Sequence, residues 1–199
     1  MTRNENYERN ILKWFVESTS EERLLGLQWY PKALQYARNI SKVTGVPVNK
    51  VAGVISALSP QNKWSQNLKD ARNICVCHAN LTPYDTFKYS TFSKNVDKAI
   101  LILTTDLDPC EILNKSGRSF KTLNFYKNIM GIDDKTSVTI DRHAINIATG
   151  IIEAGAKRIK ISEYREVSNA YSLVAEAVNM LPKTLQAITW LTYKRIINR

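Results

Sequence analysis

Only seven glycines and six prolines interrupt this 199-residue chain. All-β proteins need many tight turns, and Gly and Pro are the residues that supply them, so their scarcity favours helices. Segment 47–59 is nearly all apolar or small, which is typical of a buried central helix. The sequence therefore predicts an all-α protein with about ten helices and no convincing pair of strands.

Local signals predict where individual helices begin. Thr19 followed by Glu22 forms a capping box that starts one helix. Asp108, which stands directly before a proline, opens a short helix in the same way. We expect Ser162 to cap a long helix and Pro182 to begin the last one.

The charge balance indicates the kind of partner. Lys and Arg total 28 against 18 for Asp and Glu, which gives a net charge of +10. A positive field of this size attracts polyanions and speeds their capture. Nucleic acid is the commonest partner of a protein with this charge, and ordinary solubility is the alternative explanation for it.

Other features bear on the compartment. No stretch approaches the roughly 20 apolar residues that a membrane span requires, and the start, Met1–Glu5, lacks the apolar core of a signal peptide. Three cysteines, an odd number, argue for a reducing compartment rather than a disulfide framework. We expect a cytoplasmic protein without membrane contact, associated with the nucleoid, or in the host cytoplasm if the protein is viral.

Cys75, Cys77 and His78 form a cluster that suggests a metal site at first sight. Successive residues of a helix diverge by about 100°, so these three side chains do not point at one ion. Cys110 is the one remaining thiol, and metal sites usually need four well-placed ligands. We expect no metal and no cofactor.

Three separate stretches carry the motifs of one family in the correct order. They are Leu58-Ser59-Pro60-Gln61, Gly117-Arg118-Ser119-Phe120-Lys121-Thr122 and Val138-Thr139-Ile140-Asp141-Arg142-His143. Together they resemble the helix-hairpin-helix DNA glycosylases, the endonuclease III branch in particular. A weaker fourth match is Phe92-Ser93-Lys94-Asn95. The resemblance covers roughly residues 50–195 and is dense only in these patches.

The resemblance implies roles for individual residues. Asp141 matches the aspartate that nearly all active members share, and Lys121 matches the catalytic lysine of the bifunctional members, 20 positions earlier. Gln61 matches the glutamine that fills the gap left in the duplex when the target base is flipped out. The partner that the resemblance implies is double-stranded DNA, and the implied DNA-binding residues are Gln61, Lys115, Gly117, Arg118 and Arg142.

Each of these residues also has a structural interpretation. Asp141 precedes a predicted helix and suits its N-cap. Lys121 suits a phosphate contact or a solvated surface position, and Gln61 an ordinary helix end. Trp64 and Tyr126 are candidates either for the core or for stacking on an extruded base. His143 is a candidate for the base pocket, or a structural residue packed behind the Asp141 loop.

The chain departs from the family pattern in two places. The family's Leu-Pro-Gly-Val-Gly hairpin is replaced by Leu113-Asn114-Lys115-Ser116-Gly117, which has one glycine rather than two. Glycine lets the hairpin amides approach a DNA phosphate, so this loss puts the standard grip in doubt, although Lys115 and Arg118 supply charge there. The family's four-cysteine iron–sulfur loop is absent.

The resemblance also implies an architecture. We expect a single glycosylase-like unit over residues 1–199, with a helix-hairpin-helix-like element and a central groove for DNA and the base. One lobe runs from about residue 50 to 131, and residues 1–49 and 132–199 form the second. We expect a monomer.

Three functions are compatible with these observations. The first is a DNA glycosylase that acts on a damaged or modified base, with or without lyase activity. The second is a base-modifying transferase, similar to relatives of this fold encoded by viruses with hypermodified thymine. The third is a DNA-binding protein that keeps the fold without catalysis.

Overall fold

The computed structural model describes residues 2–115, 117, 120–133, 135–152 and 159–197. Within these ranges the chain forms ten α-helices, a 3-10 turn at Tyr84–Thr86 and no strand, so the all-α prediction is confirmed. No helix in the described ranges combines the length and apolar character that crossing a membrane requires. The helices are α1 (Arg3–Val16), α2 (Ser20–Thr44), α3 (Val48–Leu58), α4 (Trp64–Ala79), α5 (Ser93–Thr104), α6 (Pro109–Asn114), α7 (Phe120–Met130), α8 (Arg142–Thr149), α9 (Ile161–Ala177) and α10 (Pro182–Ile197).

Most of the predicted helix starts are confirmed. Thr19 and Glu22 exchange side-chain and backbone hydrogen bonds of 2.9 and 3.1 Å, which is the geometry of a capping box. Asp108 accepts from the amide of Cys110 at 2.7 Å, and α10 begins at Pro182. The predicted cap at Ser162 is wrong. Helix α9 already begins at Ile161, and its N-cap, Lys160, makes no side-chain hydrogen bond to the helix.

The chain divides into two compact units. Unit 1 comprises residues 1–31 and 131–199, and unit 2 comprises residues 32–130. The second boundary lies within one residue of the predicted one, whereas the first lies inside α2 rather than near residue 50. Helix α2 runs through Pro31 without a break in the helix, so the boundary is not marked by a loop.

Unit 2 is built around α3. Every residue of α3 from Val51 to Leu58 is buried, as the apolar run predicted. Gly53 permits close packing here, because a Cβ at this position would lie 2.9 Å from Pro109 and 3.2 Å from Ile102. Helices α5, α6 and α7 therefore pack closely around a helix that has no polar face.

Unit 1 is held together where α2 crosses α10. A Cβ on Gly26 would lie 2.3 Å from a side-chain atom of Ile188 and 2.9 Å from its backbone nitrogen, so only glycine fits there. Glu22, which is 7% exposed, accepts from both Arg195 Nε at 2.7 Å and Thr192 Oγ1 at 3.2 Å. Burial raises the pKa of Glu22, but the hydrogen bonds from Arg195, Thr19 and Thr192 outweigh it and lower the pKa below its usual value.

We expect Glu22→Gln to lower the free energy of unfolding by about 1.5–3 kcal/mol at pH 7, because charge-assisted hydrogen bonds are lost. Folding lowers the pKa of Glu22, so the ionised carboxylate makes its full contribution to the free energy of unfolding at neutral pH. That contribution is lost as the pH falls below about 4.3, the pKa of a glutamate in the unfolded chain. Urea denaturation at several pH values measures both effects. Glu21→Gln, an exposed change in the same turn, is the control. If the difference in free energy of unfolding between wild type and Glu22→Gln were as large at pH 3 as at pH 7, this account would be contradicted.

Candidate functional site

Asp141 lies at the N-cap of α8 in unit 1 and is half-buried. Its Oδ1 accepts from the amide of Ala144 at 2.9 Å, so the predicted capping role is confirmed. No described residue donates a hydrogen bond to its second oxygen. Asp141 is thus an oriented, half-buried carboxylate whose second oxygen has no donor among the described residues.

The segment before Asp141 is held in place by α9. Val138 and Ile140 are fully buried, so this stretch cannot shift without exposing apolar surface. The hydroxyl of Tyr164 donates to the carbonyl of Val138 at 2.7 Å and accepts from the amide of Ile140 at 3.2 Å. One phenol therefore satisfies two backbone groups of an extended segment. Tyr164 follows Ile140 by 24 positions, and no local sequence signal identifies it.

A buried polar cluster lies beside this segment in unit 1. The Tyr30 hydroxyl lies 3.2 Å from Thr139 Oγ1 and 3.3 Å from Gln186 Oε1, and all three residues are buried. Lys183 is also buried, with its Nζ 5.8 Å from the centre of the Tyr30 ring. These groups come from three distant parts of the chain. Apart from the polar residues of α10, nothing in the sequence indicates that these groups lie together.

Tyr171 is affected by the charge of Asp141. Its ring is fully buried in α9, and its hydroxyl lies 3.1 Å from Thr189 Oγ1. Burial, and after it the negative charge of Asp141, raise the pKa of the Tyr171 phenol above its ordinary value. Tyr171 therefore stays neutral at physiological pH.

The two residues after Asp141 are half-buried in the first turn of α8. Arg142 is the first helical residue. The ring of His143 lies 5.3 Å from that of Tyr193, which in turn lies 5.3 Å from that of Trp14. His143 is thus part of an aromatic cluster of unit 1, which fits the structural alternative given for it.

In unit 2, Lys121 lies in the first turn of α7, one turn before Phe125, and residues at this spacing share a helix face. Phe125 ends a row of three aromatic rings. The rings of Phe125 and Trp64 meet edge-on at 6.1 Å, and Trp64 meets Tyr36 at 6.3 Å. Lys121 and Trp64 are both half-buried.

The stacking role suggested for Tyr126 is not compatible with its position. Tyr126 is 2% exposed and packs in the core of unit 2, where burial raises the pKa of its hydroxyl. A ring that stacks on an extruded base needs an open face. Periodicity alone could not separate Tyr126 from its half-buried neighbours on the same helix.

Gln61 is exposed in the turn between α3 and α4. Its φ angle is 57°, in the left-handed region, which costs a non-glycine residue roughly 1–2 kcal/mol. The turn is held from inside by Asp70, which is fully buried and accepts from Asn62 Nδ2 at 2.9 Å and from the amide of Ser90 at 3.0 Å. Gln66 Nε2 donates to the other carboxylate oxygen at 2.8 Å. These hydrogen bonds therefore fix the turn that carries the exposed Gln61.

Lys115 and Gly117 are exposed after the end of α6. Lys115 is the C-cap, and Gly117 adopts a φ of 60° with open space around it. Its amide donates to the carbonyl of Asn114 at 2.6 Å. Arg118, the remaining DNA-binding candidate, lies outside the described residues. The two described residues of this turn are therefore accessible to a ligand.

The thiols of the Cys75-x-Cys77 pair point into the core of unit 2. Both residues are buried, and burial raises the pKa of the Cys75 thiol to about 12. His78 instead makes a contact of 2.9 Å between its Nδ1 and the Tyr84 hydroxyl. The three residues thus diverge, as the helical spacing predicted.

These features define an all-α protein of two compact units, with a capped, half-buried aspartate in one and a half-buried lysine at a helix start in the other. The chain belongs to a family of unknown function, DUF7178, whose profile matches residues 1–196. No curated protein and no solved structure matches the chain.

We expect Asp70→Ala to loosen the Gln61 turn, because three N–H donors lose their acceptor and each buried unsatisfied group costs about 1–3 kcal/mol. Hydrogen exchange should accelerate at residues 59–63 and 88–91 before it does so in α9. Asp106→Ala, at an exposed position of the same unit, is the control. Uniform acceleration through both units would mean that Asp70 supports global stability instead.

Proposed function

We propose that this protein is a DNA glycosylase-type enzyme that acts on a damaged or modified base. The observation that carries the proposal is the state of Asp141. Glu22 and Asp70 accept hydrogen bonds on both oxygens. Asp141 accepts a single bond at a helix start, and its second oxygen has no donor among the described residues. Asp108 also caps a helix with one oxygen, but it is exposed, whereas Asp141 is half-buried after a buried, hydrogen-bonded segment.

The chemistry of base release suits this arrangement. Breaking an N-glycosidic bond builds positive charge on the sugar as the base leaves. A fixed carboxylate beside the anomeric carbon stabilises that charge and can activate an attacking water. Because the first turn of α8 and the buried Val138–Ile140 segment orient Asp141, little reorganisation is needed during the reaction.

Two features of unit 2 support a role at an opened duplex. Extruding a base costs a few kcal/mol, and a side chain that fills the gap offsets part of that cost. Gln61 is exposed on an anchored turn, as such a wedge requires. Lys121 is half-buried in the first turn of α7, where it suits either a nucleophile that attacks C1′ or a contact to phosphate.

We expect Asp141→Asn to abolish turnover while it leaves folding and DNA binding in place. The amide keeps the oxygen that caps α8, so the free energy of unfolding should fall by about 1 kcal/mol at most, whereas the negative charge is lost. A panel of duplexes with lesions and modified bases, scored by mass spectrometry for released bases and by alkali-labile sites, identifies the substrate. Asp106→Asn is the matched control. Full turnover by Asp141→Asn would remove Asp141 from the mechanism, and an altered base that stays attached to DNA would favour a transferase.

Lys121 is tested by covalent trapping. If its amine attacks C1′, borohydride reduces the Schiff base and leaves a covalent protein–DNA complex, which Lys121→Gln should eliminate. If it contacts phosphate, no complex forms, and Lys121→Gln weakens binding only as much as the loss of any other contacting lysine. Lys42→Gln, an exposed change in α2, is the control. Trapping that survives Lys121→Gln would assign the nucleophile to another amine.

Binding to duplex DNA should weaken steeply with salt, because the net charge of +10 favours a mode driven by counterion release. With four phosphate contacts the affinity should fall about 100-fold between 50 and 200 mM salt. Fluorescence anisotropy with a labelled duplex measures this slope. An affinity that stays constant over this range would exclude phosphate tracking.

A further inference from the structure

Unit 2 contains a groove that the DNA chemistry does not use. It has a volume of about 560 Å³, which is in the range of small-molecule sites. One wall is formed by the 3-10 turn and the segment after it, with the rings of Tyr84, Phe87 and Tyr89. The other wall is α5, where Val96 and Ile100 lie one turn apart. We call it the aromatic groove.

The aromatic wall is fixed by hydrogen bonds. The Tyr89 hydroxyl donates to the carbonyl of Tyr84 at 2.7 Å, and the Tyr84 hydroxyl contacts His78 at 2.9 Å. The segment is also tied to the core through the Ser90 amide, which donates to Asp70. The rings therefore do not have to be ordered when a ligand binds, which lowers the entropic cost of binding.

The charge of the aromatic groove is opposite to that of the whole protein. Asp85 and Asp97 line it, and no lysine or arginine does. Both carboxylates are exposed, and neither forms an ion pair with any residue that the structure describes. Three lysines are nearby in the chain, and none of them lines the groove. Lys88 is exposed between Phe87 and Tyr89, Lys94 lies over the Phe92 ring at 5.4 Å, and Lys98 is half-buried.

The chemistry of these walls selects among ligands. Aromatic faces attract cations through the negative charge of the ring face. Burial raises the pKa of Tyr84 and Tyr89, so both remain neutral hydroxyls at physiological pH. Two carboxylates repel phosphates, which argues against a nucleotide as the occupant.

We infer that the aromatic groove binds an alkylammonium ligand, with its charged nitrogen against Asp85, Asp97 and the rings and its aliphatic chain along Val96 and Ile100. The groove does not include the residues of the proposed DNA chemistry, so the two proposals can be tested independently. The same chemistry is offered by a free amine and by the lysine side chain of a peptide.

The test is a calorimetric titration of the full chain with 1,6-diaminohexane, a dication at neutral pH, and with 1,6-hexanediol, its neutral counterpart. We expect the diamine to bind and the diol to bind at least tenfold more weakly. A parallel titration with a lysine-containing peptide distinguishes the two sources of the amine. Equal affinity for diamine and diol, or no binding of any amine at millimolar concentration, would overturn the inference.

Variants separate a specific site from general charge attraction. Asp85→Asn with Asp97→Asn should weaken diamine binding at least tenfold. The matched double change Asp106→Asn with Glu111→Gln, at exposed positions of the same unit outside the groove, should leave it unchanged. Phe87→Leu keeps an apolar side chain but loses the ring, and should weaken the diamine by about two- to fivefold. Equal effects of the two double variants would reduce the binding to non-specific attraction.

Discussion

Carboxylates that accept N–H groups hold the turns on which this structure depends. Glu22 fixes the start of α2 and ties it to Arg195 in α10, and Asp70 fixes the turn that presents Gln61. A buried carboxylate is stable only when donors surround it, so each of these groups determines the local path of several segments. Asp141 uses the same interaction to start α8, but with one oxygen only. Asp108 does the same for α6, but it is exposed, whereas Asp141 is half-buried next to the buried residues Val138 and Ile140.

The capping role of Asp141 supports the proposed catalytic role rather than competing with it. A helix start stabilises the anionic form of a carboxylate, and the anion is the form that a cationic sugar requires. The groups around Asp141 in unit 1 are polar yet paired, since Tyr164 binds its backbone neighbours and Tyr30 contacts Thr139. Asp141 is therefore held in position by neighbouring residues of unit 1.

Features of the fold that depend on adjacent residues were predictable. The all-α class, the capping box at Thr19, the cap at Asp141 and the buried α3 follow from short-range patterns. The cap at Ser162 was wrong because α9 begins one residue earlier, at Ile161, and its N-cap Lys160 makes no capping hydrogen bond that a sequence pattern could mark. The burial of Tyr126 was not predictable, because an aromatic residue in a helix has the same local pattern in the core as at a surface.

By itself, the sequence determined the helices, the basic charge and the positions of Asp141, Lys121 and Gln61 within three motifs. These properties follow from residue types and short spacings. Tertiary structure decided which side chains surround those positions, including Asp70 below the Gln61 turn and Tyr164 behind the segment before Asp141. Such contacts join residues far apart in the chain, and they form only when apolar burial draws the helices together. For that reason no local pattern records them.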